Sequence, residues 1–370
     1  MRFHRSNPLL SAAAAACLTL VLVPPVLGQD NTQGRTAERS DSSAQPANRS
    51  EGPAADATAP ATTGAPTDPN LPVVRSREDY EALTPEERQV FNRARRPAVT
   101  TFFDARIDLV APADFQSKPG DLSKQRYGFE MGPAFRVTDE LDFAIRFSAE
   151  WTQYDFSGAV GLVPGVTDPD PFDDSRIFSI TPVLNSVNPD SWSWTAGFTV
   201  ESGGESGADF SDTVSVGGLV IASYPITSSL RIGGGITAQQ SISRGDIAVI
   251  PIPIFDWRLS DDWRVRTARR GLALAYQPNF AWEYALTVTF ERREFRLDDE
   301  GPIPGGGVID RTFPVHFTVA YKPHPRFNFR GRIGSNVWSE LDVYTDGGAR
   351  LTDVERGPAL SGGIELSIRF

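Results

Sequence analysis

Long runs of alternating apolar and polar residues constrain this chain more than any other feature. Such runs cover residues 141–152, 282–291 and 312–321. The last run is unbroken to the C-terminus, where Leu360, Gly362, Ile364, Leu366, Ile368 and Phe370 alternate with Ser361, Gly363, Glu365, Ser367 and Arg369. A period of two puts successive side chains on opposite faces of a strand, and about ten residues suffice for a tilted strand to cross a membrane. The pattern predicts all-β structure with one apolar and one polar face.

The connections between these runs alternate in length. Short turns are predicted at 138–140, 188–190, 225–228, 260–262, 277–280 and 323–325, and longer loops at 111–124, 155–174, 202–212, 297–308 and 340–357. Membrane barrels sort their connections in this way, whereas a soluble sandwich has no reason to do so. The sequence therefore predicts an antiparallel up-and-down transmembrane β-barrel over residues 98–370.

The strand count is left open between about twelve and fourteen. Thirteen runs are visible, but both barrel ends should lie on one side of the membrane, which requires an even number. The odd run is 263–276, whose centre, Arg269-Arg270-Gly271, has the composition of a turn. Splitting this run gives fourteen strands, two of them short, whereas folding it inward gives twelve.

The N-terminal residues predict export. Arg2 and Arg5 precede an apolar stretch, so residues 1–28 are predicted to be a signal peptide cleaved after Gly28. A membrane anchor is disfavoured by Pro24-Pro25, and a lipoprotein modified at Cys17 is disfavoured by the small Ala14. Residues 29–75, rich in Ala, Pro, Thr and Ser, are predicted to be a disordered periplasmic linker. Residues 76–97 are predicted to hold a short amphipathic helix, which opens at the capping box Thr84-Pro85-Glu86-Glu87.

The composition disfavours several classes of function. The net charge is −11, so no basic face is available and nucleic acid is not an expected partner. Cys17 is the only cysteine and would leave with the signal peptide, and of three histidines only His316 and His324 would remain. We therefore predict no catalytic residues, no cofactor and no metal site. The acidic groups at 168–174 and 298–300 are interpreted as solvated loop charge rather than a calcium site.

Charged residues of both signs fall on the predicted inward phase. The residues predicted to line a pore are Arg106, Glu130, Arg146, Glu150, Arg176, Arg231, Glu291, Arg293, Arg330 and Arg332. Such a lining can form a hydrated path for solutes. It can equally form Arg–carboxylate ladders that fill the lumen, and the sequence favours neither alternative.

Aromatic residues gather at the predicted strand ends. The predicted membrane-interface belt consists of Trp151, Trp192, Trp194, Tyr224, Trp257, Trp263, Trp282, Tyr284, Tyr321 and Trp338. Tyr and Trp prefer the headgroup level, where one edge of the ring is apolar and the other wet. Leu366, Ile368 and Phe370 of the last run are predicted to be an assembly signal.

The segment Ile250-Pro251-Ile252-Pro253-Ile254 predicts an irregularity in the sheet. Residues two apart direct their backbone groups toward the same neighbouring strand, and proline has no N–H to donate. One side of this strand should therefore lack two hydrogen bonds. We expect a bulge or an incompletely paired seam, next to the unusual run 263–276.

From Val99 to Phe370 the chain resembles the bacterial outer-membrane β-barrel superfamily. Residues 250–258 and 290–297 resemble an uncharacterised subfamily of unknown function. The resemblance implies an outer-membrane location, contact with outer-membrane lipid and recognition by the barrel-assembly machinery. It carries over no catalytic residues.

Four functional hypotheses follow. The first is a channel or transport-related barrel for small solutes, and the second is a plugged barrel that serves as a scaffold or surface protein. The third is an outer-membrane enzyme that uses His316 with a positioned serine or carboxylate, and the fourth is a soluble exported sandwich. A periplasmic partner of the N-terminal tail is compatible with each of the first three.

Overall fold

The computed structural model describes residues 98–370 apart from Pro189, Arg269, Arg270 and Pro325. The predicted signal peptide, linker and amphipathic helix lie outside the described residues. The strands are β1 (Val99–Asp114), β2 (Asp121–Arg136), β3 (Leu141–Ser157), β4 (Asp174–Ser186), β5 (Ser193–Gly204), β6 (Val214–Pro225), β7 (Leu230–Gln240), β8 (Ile247–Arg258), β9 (Trp263–Ala268), β10 (Gly271–Tyr276), β11 (Trp282–Thr289), β12 (Glu291–Arg296), β13 (Gly307–His324), β14 (Phe327–Tyr344), β15 (Arg350–Arg356) and β16 (Ala359–Arg369). A four-residue helix, α1 (Phe210–Thr213), precedes β6. None of the described residues forms a helix long and apolar enough to span a membrane.

Within the described residues, fourteen strands form a closed antiparallel barrel. β1 to β11 follow one another around the wall, then β13, β14 and β16, and β16 pairs with β1. This closing pair is in register from Phe102 opposite Arg369 to Val110 opposite Ser361. The prediction of an all-β barrel with an even strand count is confirmed. The run 263–276 is split into β9 and β10, so the twelve-strand alternative is wrong.

The two faces of the wall differ in polarity as the alternation predicts. On β13, Phe317 points outward and is half exposed, whereas its neighbours His316 and Thr318 are buried on the inner side. The outer face carries many further exposed apolar side chains, among them Phe178, Ile180, Val220, Ile236, Leu286, Ile333 and Ile364. Such a continuous apolar outer surface is unfavourable in water and is the surface that lipid requires.

β12 leaves the barrel wall and crosses the lumen. β11 pairs with β13 from Trp282 to Val288, and β12 continues along the same edge of β13. Its other edge has no wall neighbour until Arg296 lies opposite Gly204 of β5, where the Glu205 N–H donates to the Arg296 carbonyl at 2.8 Å. A Cβ on Gly203 would lie 2.6 Å from the Glu294 carbonyl oxygen, so glycine permits this close approach. The half of the barrel that carries the long loops therefore closes through β12 into a narrower ring.

The narrower ring is filled by an apolar core, and we call this core the cap. The wall contributes Phe115, Leu122, Tyr154 and Phe156, the loop after β3 contributes Leu162, Val163 and Phe172, and the inward strands contribute Phe295, Val308, Leu341, Val343 and Val354. The ring of Phe172 lies 5.0 Å from that of Phe156 and 5.6 Å from that of Phe295. Packed aromatic pairs of this kind are strongly stabilising. The cap closes the end of the barrel that carries the long loops.

β8 and β9 are joined over only a small part of their length. β8 pairs with β7 from Ile247 to Trp257, but among the described residues it pairs with β9 at Asp256, Trp257 and Arg258 alone. At the preceding residue of β8, the Phe255 N–H donates to the side-chain hydroxyl of Thr267 at 2.9 Å instead of to a backbone carbonyl of β9. The incompletely paired seam expected at Pro251 and Pro253 is present, and it lies beside the short strand β9.

Candidate functional site: the barrel lumen

Five charged side chains from four strands form a cluster in the lumen, which we call the central cluster. Arg106, Arg126 and Glu150 come from β1, β2 and β3, and Glu291 and Arg293 come from β12. Glu150 pairs with Arg106 and Arg293 and lies 3.5 Å from Arg126. Glu291 lies 3.0 Å from Arg126 and 2.8 Å from Arg293. The inward-facing side chains of three wall strands meet β12 here. Ion pairs therefore connect β12 to the wall.

A second buried group connects the wall to the cap. Asp310 of β13 accepts a hydrogen bond from Lys124 of β2 at 2.5 Å and one from Arg356 of β15 at 3.1 Å. All three side chains are almost completely buried. The Lys124 ammonium also lies 5.5 Å from the centre of the Tyr154 ring. Charges so deeply buried are stable only while they remain paired.

A small cavity lies between these groups and β16. Its volume is about 20 Å³, which is room for one water-sized molecule. His316 and Ser361 line it, and the His316 Nε2 atom lies 2.8 Å from the Ser361 hydroxyl oxygen. The serine that a catalytic histidine requires is therefore present.

The surroundings of this pair fit a structural role. The Ser361 hydroxyl donates to the Asn336 Oδ1 atom at 3.3 Å, so the serine links His316 to Asn336. Which of His316 and Ser361 donates to the other is set by the imidazole tautomer. The adjoining cavity of about 20 Å³ has no room for an ester. We therefore interpret this group as a structural hydrogen-bond chain.

Most residues predicted to line a pore face the lumen. Arg106, Glu150, Glu291 and Arg293 meet in the central cluster, and Arg146 pairs with Glu130 at 3.0 Å. Arg332 pairs with Asp108, and Arg330 lies 3.0 Å from Glu365. Arg231 lies near the short-turn end, where it donates to the Asn188 carbonyl at 2.8 Å and to the Ser193 hydroxyl at 3.0 Å.

Arg176 is the exception among the predicted lining residues. It shares the outward phase of β4 with Phe178, is half exposed, and lies 3.1 Å from Asp174. Its position near the long-loop end explains this placement, because charge is tolerated on the outer face beyond the hydrocarbon. Arg176 therefore does not line the lumen.

Several lumen residues were missed by the sequence analysis. Lys124 and Arg126 share the inward phase of β2 with Glu130, so the alternation itself could have identified them. Asp310 and Arg356 lie beside or within segments that were predicted to be loops. Only the pairing of Asp310 with Lys124 and with Arg356 reveals their role, and these contacts are not local in sequence.

Part of the predicted aromatic belt lies at the short-turn ends of the strands. Trp194, Tyr224, Trp257, Trp263, Trp282 and Tyr321 occupy such ends and are exposed. Trp282 packs against Tyr321 with 4.6 Å between ring centres, and Trp192 against Tyr224 with 5.3 Å. Tyr284 stacks on Trp282, while Trp151 and Trp338 lie closer to the long loops. That these rings mark the membrane interface stays a prediction.

One part of the inner face is apolar rather than charged. Leu219 and Ile221 of β6 pack with Ile252 of β8, and Ile254 lies against them. We call these four residues the isoleucine patch. It lies on the inner side of the same strand that carries the exposed Pro251 and Pro253, so the patch is directly behind the seam.

The long-loop end carries an acidic surface. Asp168, Asp170, Asp173, Glu205 and Asp298 surround an open hollow of about 340 Å³. The Glu205 carboxylate accepts from the backbone N–H groups of Asp173 and Asp298 at 2.9 and 3.0 Å, and burial raises its pKa. Glu205 thus ties two loops together. Among the described residues, no group of three or more His, Cys, Asp or Glu side chains is placed to hold a metal ion.

Comparison with known proteins gives only distant likenesses. No protein-family model matches the sequence, and no curated protein matches it. An outer-membrane channel from Pseudomonas putida F1 is similar in structure, with 10% identity, a TM-score of 0.44, and coverage of 74% of this chain and 97% of that one. The toluene transporter TodX of P. putida has 10% identity, a TM-score of 0.34 and coverage of 74% and 91%. The NanC porin has 12% identity, a TM-score of 0.32 and coverage of 72% and 98%.

These likenesses are too distant to transfer a function, so the assignment depends on the geometry of the chain itself. The wall is closed, its strand count is even, and its outer face is apolar while its inner face is polar. Only a closed barrel satisfies every backbone hydrogen bond of a sheet in lipid. The described residues therefore form a closed β-barrel whose outer face suits a lipid bilayer.

Proposed function

We propose that this protein is an outer-membrane channel for small solutes whose axial path is closed in the structure. The observation that supports a channel is the fourteen-strand wall with charges of both signs on its inner face. Eight strands already give an interior that side chains fill, whereas sixteen leave an aqueous channel. A fourteen-strand wall thus encloses more space than its own side chains fill, and charged residues keep such a space hydrated.

The axial path is closed at two levels. The central cluster crosses the middle of the lumen, and the cap fills the long-loop end. Both levels depend on β12 and β15, which are hydrogen-bonded along one edge to the wall strands β13 and β14. On the opposite side of the lumen, β12 meets β2 and β3 through ion pairs, and β15 meets the end of β1 at the Phe115–Arg356 bridge. We therefore expect opening to break these ion pairs and this bridge while the fourteen-strand wall stays intact.

The test is conductance in planar bilayers, together with swelling of liposomes in arabinose. The wild type should show small and infrequent steps. Asp310→Asn should increase the open fraction strongly, because Lys124 and Arg356 would then lack their common counter-charge. Asp353→Asn is the matched control: it makes the same change on an exposed cap residue and should behave as the wild type.

A second candidate is a plugged barrel without conductance, favoured by the apolar core of the cap. Heat-modifiable gel migration first shows that each variant forms a barrel. If folded wild type and folded Asp310→Asn both give no steps and no swelling, the channel is refuted and the plugged barrel is correct.

A further inference from the structure

We propose that the seam between β8 and β9 is a lateral portal through which small uncharged apolar solutes pass between the lumen and the outer leaflet. The proposal deepens the transport role proposed above, on which it rests. It names a second path through the same barrel and a second class of solute. The portal is bounded by the free edge of β8 (Ile247–Ile254) and by the short hairpin β9–β10.

The wall is low at the hairpin β9–β10. β9 and β10 have six residues each and pair with one another along their whole length. Six residues span about 20 Å along the strand and about 14 Å across a membrane when tilted by about 45°, less than the apolar band of about 25 Å. Within the described residues, the wall therefore lacks a strand of full height at this hairpin.

No neighbouring strand of the described chain fills the space beside β8 above the hairpin β9–β10. On the far side of the hairpin, β11 ends its pairing with β10 where Thr289 lies opposite Gly271. The chain then continues as β12, which turns inward to β5 instead of rising beside β8. Among the described residues, the edge of β8 above Phe255 has no backbone partner on this side, and its contact with β9 there is the hydrogen bond from the Thr267 hydroxyl to the Pro253 carbonyl at 3.4 Å.

The edge of β8 at the seam carries two prolines. Phe255 directs its N–H toward β9, so Pro253 and Pro251, of the same parity, direct their backbone toward the seam as well. An unpaired N–H facing lipid costs several kcal/mol, and proline has none. The two prolines remove two of the four donors that this edge would direct toward the seam, whereas Ile247 and Val249, nearer the long-loop end, keep theirs.

The inner side of the portal is lined by apolar side chains. Behind the edge lies the isoleucine patch, whose Ile252 is buried while the flanking Pro251 and Pro253 are exposed on the outer face. Charged side chains line the lumen elsewhere, in the central cluster and at Arg146 and Glu130. An apolar patch next to an opening toward hydrocarbon favours an apolar solute, because a charged one would lose its hydration there without compensation.

The experiment measures uptake of N-phenyl-1-naphthylamine, an apolar dye that fluoresces on entering membranes, into intact cells that produce the full-length protein. Ile254→Trp fills the inner side of the portal. Ile236→Trp is the matched control, since this residue lies on the neighbouring strand β7 but is exposed on the outer face. Gel migration shows for both variants that the barrel has formed.

We expect the wild type and Ile236→Trp to accelerate dye uptake equally, and Ile254→Trp to return it to the level of cells without the protein. Equal uptake by the two tryptophan variants would overturn the portal. If Ile254→Trp fails to fold, Ile250→Cys labelled after assembly with benzyl methanethiosulfonate replaces it. The same loss is expected from the label, and unchanged uptake would overturn the portal.

Two measurements separate this proposal from the channel. Arabinose swelling should be the same for the wild type and Ile254→Trp, because the polar path does not cross the patch. Loss of dye uptake with arabinose flux retained is the expected result, whereas dye uptake without any arabinose flux would refute the channel alone. Quenching of a fluorescent label at Ile250→Cys by brominated lipid, without any dye uptake, would show that acyl chains occupy the seam and would overturn the portal.

Discussion

At the scale of single residues, the lumen is organised by carboxylates that each serve several cations. Glu150 is shared by Arg106, Arg126 and Arg293, and Asp310 by Lys124 and Arg356. A buried charge that loses its partner is strongly unfavourable, whereas a half-exposed pair contributes little. The shared carboxylates are therefore the positions where a single substitution should have the largest effect.

Glu150→Gln should destabilise the folded barrel by about 3–5 kcal/mol, because three guanidinium groups would lose a common counter-charge while staying buried. The measurement is the temperature at which the folded form disappears from heat-modifiable gels. Glu365→Gln is the control, since the Arg330–Glu365 pair is partly exposed, and it should cost less than about 1 kcal/mol. Equal losses of stability from the two substitutions would show that the central cluster stabilises the barrel no more than a partly exposed ion pair does.

At the scale of elements, the wall strands could be predicted from the sequence and the crossing strand could not. The alternation in β3, β11, β13 and β16 fixes their faces because lipid and lumen demand opposite polarity. The short hairpin β9–β10 is one of two alternatives that parity and the turn-like centre leave open, and the structure decides for it. β12 differs, because it meets β5 instead of pairing with β8, and contacts between residues distant in sequence determine this.

A local signal for β12 does exist. Its sequence, Glu-Arg-Arg-Glu-Phe-Arg, carries charge on both phases, and a lipid-facing strand cannot accept that. The pattern thus excludes a complete wall strand, although it does not say where the segment goes. The cap was missed for a similar reason: Phe295 and Leu297 resemble ordinary apolar positions until Tyr154, Phe156 and Phe172 are brought against them.

Phe295→Ala should loosen the cap without opening the wall. The side chain is fully buried among aromatic rings, so its truncation should cost about 3–5 kcal/mol. The expected result is faster protease cleavage of the long loops on intact cells, with a barrel that still forms. Phe317→Ala, the same change on the lipid-facing side of β13, serves as control and should leave cleavage unchanged. Identical cleavage of both variants would contradict a packed cap.

At the scale of the whole molecule, closure between the first and last strands decides whether the protein is a barrel. β1 and β16 are at opposite ends of the described chain, yet they are in register over nine residue pairs. The terminal run that contains Leu366, Ile368 and Phe370 is thus the strand that completes the wall. Its reading by the assembly machinery stays a prediction.

Ile107 and Ile364 provide a direct test of closure, because they are register partners and both are exposed on the outer face. Opposite residues in an antiparallel pair have Cα atoms about 4.5–5.5 Å apart, within the range that a disulfide needs. The double variant Ile107→Cys/Ile364→Cys should therefore cross-link under mild oxidation. The resulting closed loop is seen by its altered migration after boiling without reductant.

Ile107→Cys combined with Ile333→Cys is the matched control. Ile333 is equally apolar and exposed, but it pairs with Gly362 on the far side of β16 and should not cross-link to position 107. A disulfide in the control pair, or none in the register pair, would mean that the wall closes in another register.

The meeting of β12 with β5 makes the sheet branch. β5 continues into β6 along its whole length, and at its upper end it also touches β12. The loop between β7 and β8 is joined to β12 by hydrogen bonds from the Ser241 hydroxyl and the Ser243 N–H to the Glu294 carboxylate. The long-loop ends of β6, β7 and β8 thus lie outside the narrower ring, so the proposed portal and the closed axial path occupy different parts of the sheet.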